Sequence, residues 1–367
     1  MNTSSASASP SESPATPSTA SASPSESPHA ASAAAPAGET PQAGRATVRS
    51  YGDTAAEYDA ARNRAIVVDR ADRALLRVHG RDPVKMVHGL VTNDVQNLNA
   101  GDHVYAALLT PKGRMLADLR VLRRENDLLL EFDRAAMANV TDTFRKFVPP
   151  LFARTEDVSA SLGVVGIYGP AARDVLARID TPSLVMETDY TGDAGFDMIV
   201  DANRVDDYVA AAAVAGAVPA GHAVLDVLRI EAGQPHWGAE LDQDVIPIEA
   251  GITERVISTT KGCYTGQEVI IRILHRGHVN RHLRGLLLGE APTPARGTEL
   301  FAEGTARAVG RITSACFSPR LQQSIALAYV RREVEPGASL RLGSDSGPAA
   351  RLTALPFPLA NPHATGA

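Results

Sequence analysis

Hydrophobic and polar positions along this chain change character at residues 45–50. Upstream, residues 1–44 are Ser, Ala and Pro with a few Thr and Glu, and no apolar position recurs with a helix or strand period. Such a segment buries too little apolar surface to offset its ordering entropy, so a disordered tail is expected there, a role in interactions being left open. Downstream, apolar periodicity persists to about Pro358, and turn chemistry divides it into three blocks. Residues 359–367 read as a second, short tail.

In the first block, 45–150, the stretches 65–69, 75–79, 104–109, 115–123 and 128–132 alternate or run apolar as strands do. Asp82-Pro83 predicts a helix start, with Asp82 as the N-cap and Pro83 in the first turn, running through Val84, Val87 and His88 to Leu90. Residues 135–146 carry a second helical pattern, and Pro149-Pro150 closes the block. The second block, 151–282, offers strands at 162–168 and 195–200 and helices at 171–179 and 205–214. Gly163, Gly166 and Gly169 precede the first of these helices. Their spacing is neither the dinucleotide fingerprint nor a P-loop, and it reads as a strand-to-helix turn. The third block, 283–358, has only short apolar runs between Gly and Pro, at 283–288, 299–301, 308–316, 325–330 and 338–342. That is the pattern of a small barrel or sandwich. Two mixed blocks followed by an all-β block predict an α+β architecture rather than a doubly wound sheet.

Composition narrows the function. Hydrophobic residues make up 44% and aromatics 5%, so real cores are expected, built mostly from Ala, Val, Leu and Ile. A net charge of −6 argues against charge-driven nucleic-acid binding by the whole surface, though not against a local basic groove. Two cysteines, Cys263 and Cys316, suggest no disulfide framework and suit a reducing cytoplasm. No run approaches the ~18 apolar residues of a membrane span. Residues 1–44 have neither Lys nor Arg nor an apolar core, so they read as neither a secretory signal nor a transit peptide, and a cytoplasmic location is expected.

The segment Lys261-Gly262-Cys263-Tyr264-Thr265-Gly266-Gln267-Glu268 stands out chemically. Two glycines bracket a Cys and a Tyr and let the backbone approach another group closely. Lys261 sets a cation beside Cys263, where it would favour the thiolate. The plainer alternative is a turn carrying a buried Cys that packs as a small hydrophobe.

This octapeptide resembles the signature of the folate-binding proteins related to the T-protein of the glycine cleavage system. Bacterial members support iron–sulfur enzymes and certain tRNA modifications, and mitochondrial counterparts assist assembly of four-iron clusters. The segments 88–95, 109–114, 229–233 and 247–251 agree with the resemblance, which spans roughly 50–355. It implies a three-domain ring with a C-terminal β-barrel and tetrahydrofolate, or another reduced folate, in the central hole. Asp118, Asp197, Arg229 and Glu231 would hold the cofactor, with Tyr264 and Gln267 of the octapeptide. Cys263, Lys261 and Asp118 would carry the chemistry. Asp197 stands where the T-proteins tend to carry Glu, and Ala117 replaces one of a pair of acids beside Asp118, which counts against aminomethyl transfer but not against folate binding. The implied function is that of an accessory protein, a monomer, for assembly or repair of iron–sulfur enzymes, with those enzymes or assembly proteins as partners. A tetrahydrofolate-dependent aminomethyltransferase is the alternative. A conventional all-Cys cluster needs four thiolates, so the two cysteines cannot hold one alone.

Two readings stay open. Residues 229–231 are either the implied folate contacts or an ordinary strand end with exposed charges. The run 272–284 carries Arg272, Arg276, Arg281 and Arg284 with His275, His278 and His282 between them. It is either a surface for an anionic partner or a solvated charged face. No metal site is expected, because Gly277 and Asn280 interrupt a regular helix and the arginines repel a cation.

Overall fold

The computed structural model of the protein describes residues 45–305 and 307–358. The tails expected at 1–44 and 359–367 lie outside the described residues. Helix α1 (Thr54–Asn63) leads to strands β1 (Ile66–Asp69) and β2 (Arg73–His79), helix α2 (Pro83–Leu90), and strands β3 (His103–Leu109), β4 (Met115–Arg123) and β5 (Leu128–Asp133). Helix α3 (Met137–Phe147), strands β6 (Arg154–Asp157) and β7 (Leu162–Tyr168), helix α4 (Ala172–Leu176), and strands β8 (Val185–Thr188) and β9 (Gly195–Asp201) follow. Then come helix α5 (Val205–Val214), strand β10 (Val218–Pro219), and helices α6 (His222–Glu231), α7 (Thr253–Val256) and α8 (Gln267–Arg276). The chain ends on strands β11 (Arg281–Leu287), β12 (Glu299–Ala302), β13 (Ala308–Ser318), β14 (Gln323–Arg331), β15 (Ser339–Leu342) and β16 (Ala349–Thr353).

The expected α+β architecture is present. One five-stranded sheet has the order β3-β4-β5-β2-β6, a second has β10-β1-β7-β9-β8, and the last six strands close a barrel in the order β11-β14-β13-β12-β15-β16. The two sheets exchange strands. β1, from the first block, pairs antiparallel with β7 and parallel with β10, while β6, beyond Pro149-Pro150, edges the first sheet against β2. The proline pair therefore marks no change of sheet. Alternation in β4 shows how the sequence builds the first sheet: Met115, Ala117, Leu119 and Val121 are fully buried in one large core, and Asp118 and Arg120 face the other way. On that second face Leu75, Leu122 and Leu129 pack against Val164, Met186 and Ile199 of the second sheet. Apolar contact holds the sheets together at one end of the face, and charged side chains line the space at the other.

Three local expectations change. α1 has no counterpart in the hydrophobic pattern because it buries only Glu57, Ala60 and Ala61; Asp53 caps it by accepting from the amides of Ala55 (2.9 Å) and Ala56 (3.3 Å). Pro83 opens α2 as predicted, but Asp82 makes no side-chain capping bond. Residues 229–231 end a helix rather than a strand, and Arg229 and Glu231 are buried, at 3% and 0% exposure.

Candidate functional site

A cavity of about 280 Å³ opens between the charged parts of the two sheet faces. Tyr105, Asp118 and Arg120 of the first sheet, Asp197 of the second, and His236 and Trp237 from the loop after α6 are among its lining residues. A second cavity, about 920 Å³, shares Arg70, Tyr190 and His236 with the first and reaches Arg229 and Cys316. The Arg70 guanidinium lies 5.2 Å over the Tyr190 ring, and the Tyr190 hydroxyl is 3.2 Å from His236 Nδ1. These three side chains form the partition between the two spaces.

A chain of ion pairs forms the cavity floor. Glu131, fully buried on β5, is held by Arg73 Nε from β2 and by Arg120 Nε from β4 at 2.7 Å. Arg120 Nη2 pairs with Asp197 Oδ2 across the sheets at 2.6 Å, and the Tyr168 hydroxyl donates to Asp197 Oδ1. Arg70 Nη1 donates to the Tyr168 hydroxyl at 2.7 Å, and Arg70 Nε and Nη2 pair with Asp72. Burial alone would raise the Glu131 carboxyl, but Arg120 and Arg73 outweigh it and hold the group well below the usual carboxylate range. Gly166 makes room for this arrangement: a Cβ there would sit 2.2 Å from the Tyr168 hydroxyl oxygen. Arg73, Arg120 and Glu131 are site residues that the motif reading missed. A signal for them existed in the polar phase of the strand alternation, Asp118-x-Arg120 in β4 and Glu131-x-Asp133 in β5.

Asp133 Oδ2 lies 3.4 Å from His236 Nε2. Burial pushes the Asp133 carboxyl up to about 6 and the His236 imidazole down to about 3, so at neutral pH the contact is not an ion pair. An unfolded Asp titrates near ~3.9. The folded state thus binds the Asp133 proton more tightly, and that stabilisation is complete below the unfolded value and lost as pH rises through about 6. Asn at 133 keeps the acceptor that caps Ala135 N but does not titrate. Urea unfolding of wild type and Asp133→Asn across this range is expected to move the difference in the wild type's favour on acidification, by about 2–3 kcal/mol. A flat difference would show that Asp133 ionises normally.

Of the predicted cofactor residues, the structure brings together Asp118 and Asp197 at the cavity. Asp118 is half-buried and accepts from the Tyr105 hydroxyl at 2.9 Å, leaving its other oxygen without a protein donor among the described residues. Both Asp197 oxygens are engaged, as above. Arg229 lines only the second cavity, where it bonds Asp226 (2.7 Å), Glu240 (3.0 Å) and Ser314 (2.8 Å). Glu231 lines neither space. It accepts from the Tyr58 hydroxyl (2.8 Å), from Arg62 Nη2 (2.5 Å) and from the Ser318 hydroxyl, tying α1 and α6 to the barrel. Its carboxylate is spent on packing these elements, which corrects its implied place beside the pterin.

The octapeptide also lies away from the first cavity. Cys263 is exposed, and neither it nor Lys261, Tyr264 or Gln267 lines that space. Lys261 Nζ turns inward and donates to the carbonyls of Val91 (2.6 Å), Asn93 (3.2 Å) and His88. It thereby caps the end of α2. Tyr264 is buried beneath it, with Nζ 5.2 Å from the ring centroid, and Gln267 begins α8. Gly266 sits at φ +85° against Thr110 O, where a Cβ would approach to 2.6 Å, so this glycine lets α8 dock on the β3–β4 turn. Cys316 is half-buried and faces the second cavity, and burial pushes its thiol up to about 12.

The run 272–284 does not present one histidine face. α8 ends at Arg276, leaving His278 in a loop and His282 on β11. Arg281 is engaged by the Asp244 carbonyl (2.8 Å) and Glu249 (3.3 Å), whereas Arg272, His275 and Arg276 are exposed. Among the described residues no helix is long and apolar enough to cross a membrane, and no cluster of His, Cys, Asp and Glu is arranged to hold a metal ion.

Comparison with known proteins places this geometry among relatives. The GCVT N-terminal domain model matches residues 34–184 and 179–261, and that of the glycine cleavage T-protein C-terminal barrel domain matches 281–358. An aminomethyltransferase of Rubrobacter xylanophilus is 30% identical over 326 residues, covering 84% of this chain and 87% of that protein. One of Saccharopolyspora erythraea is 30% identical over 340 residues, covering 85% and 92%. The glycine cleavage system aminomethyltransferase T from Bartonella henselae superposes with a TM-score of 0.75 at 21% identity, over 85% of this chain and 91% of that one, a shared fold.

Proposed function

We propose, on the premise that this chain belongs to the glycine cleavage T-protein family, that the cavity between its two sheets binds a reduced folate and that Asp118 serves aminomethyl-type one-carbon chemistry there. The observation that carries the reading is Asp118 itself: a carboxylate oriented by Tyr105, with an oxygen free among the described residues, on the wall of the cavity between the sheets. A bound reduced folate supplies the nitrogens that carry the one-carbon unit. Asp118 would accept a proton from such a nitrogen or stabilise positive charge on it, an electrostatic role favoured by partial exclusion of water. Tyr105 and Trp237 give the cavity flat apolar surface for a heterocycle. Ala117, which removes one acid from the sequence pair, is fully buried on the opposite face of β4. Its identity therefore takes no carboxylate from the cavity, and the case against transfer drawn from it falls away.

A second reading is favoured by a separate observation. Cys263 is exposed on a tight turn anchored by Lys261, away from the folate cavity. That suits contact with a protein partner, and with it support of iron–sulfur enzymes, using one thiol rather than a whole cluster. The exposed Arg272, His275 and Arg276 on the adjoining helix would give such a contact a preference for acidic surfaces. Two experiments separate the readings. Asp118→Asn is expected to lower aminomethyl transfer to tetrahydrofolate by about a hundredfold while folate still binds. Undiminished transfer would sink the first reading. Full rescue by Cys263→Ala of iron–sulfur enzyme activity and tRNA thiomethylation in a deletion strain would sink the second.

A further inference from the structure

Arg73 and Arg120 use their Nε atoms on the two oxygens of Glu131, so the carboxylate fixes both guanidinium groups from behind. Their outer nitrogens point elsewhere. Arg120 Nη2 meets Asp197, but Arg120 Nη1 and both Nη atoms of Arg73 have no acceptor among the described residues. The side chains are only 10% and 12% exposed, and both line the cavity of about 280 Å³. These donors open onto the cavity and are not sealed in the protein, so an acceptor on a bound ligand can take the place of water in front of them.

The charge around these donors selects the kind of acceptor. Arg70, Arg73 and Arg120 are matched by Asp72, Glu131 and Asp197, and Asp118 adds a further carboxylate on the cavity wall. No excess positive charge is present to favour an anion. Free donors on a charge-balanced floor suit a neutral acceptor, such as the oxo oxygen of a planar nitrogen heterocycle.

We propose that Arg73 and Arg120, positioned by Glu131, form a donor fork that takes the oxo edge of the bound heterocycle and selects 4-oxo over 4-amino pteridines. The selection rests on the folate reading above and specifies it. Exchanging the oxo oxygen for an amino group turns an acceptor into a donor and sets it against guanidinium N–H groups. The fork rejects that analogue because its donors are then left unpaired in a buried site.

Calorimetry on the full chain tests this with tetrahydrofolate, its 4-amino-4-deoxy counterpart, and para-aminobenzoylglutamate as a probe for the tail alone. The wild type is expected to bind the 4-oxo compound about tenfold or more tighter than the 4-amino one, the scale of one hydrogen bond to a charged group. Arg73→Met should weaken the 4-oxo compound and shrink that ratio to about twofold, and Glu131→Gln should shrink it in the same direction. Equal wild-type affinities, or a ratio that survives Arg73→Met, would overturn the fork while leaving folate binding intact. The wild-type comparison stands even if a variant fails to fold. Arg73-dependent binding of para-aminobenzoylglutamate would also overturn it, by giving the fork to the tail carboxylate. If neither pteridine binds, the folate reading itself falls, and the fork with it.

Discussion

Glu231→Ala is expected to destabilise the protein by about 3–5 kcal/mol, the usual cost of removing one partner from a buried ion pair. The carboxylate is fully buried and serves Arg62 from α1, the Tyr58 hydroxyl and the Ser318 hydroxyl at the end of β13. Without it Arg62, only 12% exposed, keeps Asp193 at 2.7 Å but loses its interior partner. The three elements that this group joins would loosen together. Folate affinity, measured where the variant is still folded, should change by no more than about threefold, a small energy on the binding scale, because Glu231 lines neither cavity. A variant with near-normal urea stability but lost folate binding would return Glu231 to the ligand site.

Lys261→Met should cost about 2–4 kcal/mol, because buried carbonyls lose their donor. Met keeps the length and apolar stem of the side chain, so the change isolates the ammonium. That ammonium bonds the carbonyls of His88, Val91 and Asn93. All three lie at or just past the end of α2, where helix carbonyls lack intrahelical partners. Amide hydrogen exchange should quicken first in α2, while labelling of Cys263 by a mild thiol reagent stays at the wild-type rate. Slower Cys263 labelling with stability unchanged would instead make Lys261 the activator of that thiol.

The sequence made some of this legible, and physical reasons explain the rest. Alternation in β4 and the short apolar runs of the barrel are local signals, and they gave β4 and the barrel strands β11 to β15 but not β16. Helix α5 falls on the predicted span, Val205–Val214. Pairing is not local: nothing near residue 66 says that β1 will join β7 a hundred residues on. Buried charge misled in both directions. Arg229 and Glu231 look like surface residues in the sequence because their partners come from α1, the loop after α6 and the barrel. Lys261 looked like the neighbour of Cys263, yet its side chain follows the carbonyls of α2. The cavity was legible only through Asp118 and Asp197. The arginines that hold its floor belong to no motif and become neighbours only when the strands pair.

Titration of the purified protein with tetrahydrofolate under anaerobic conditions, followed calorimetrically, tests the folate cavity most directly. The expected result is saturable binding at one site below about millimolar ligand. Heats that stay at the level of dilution up to that concentration would contradict it.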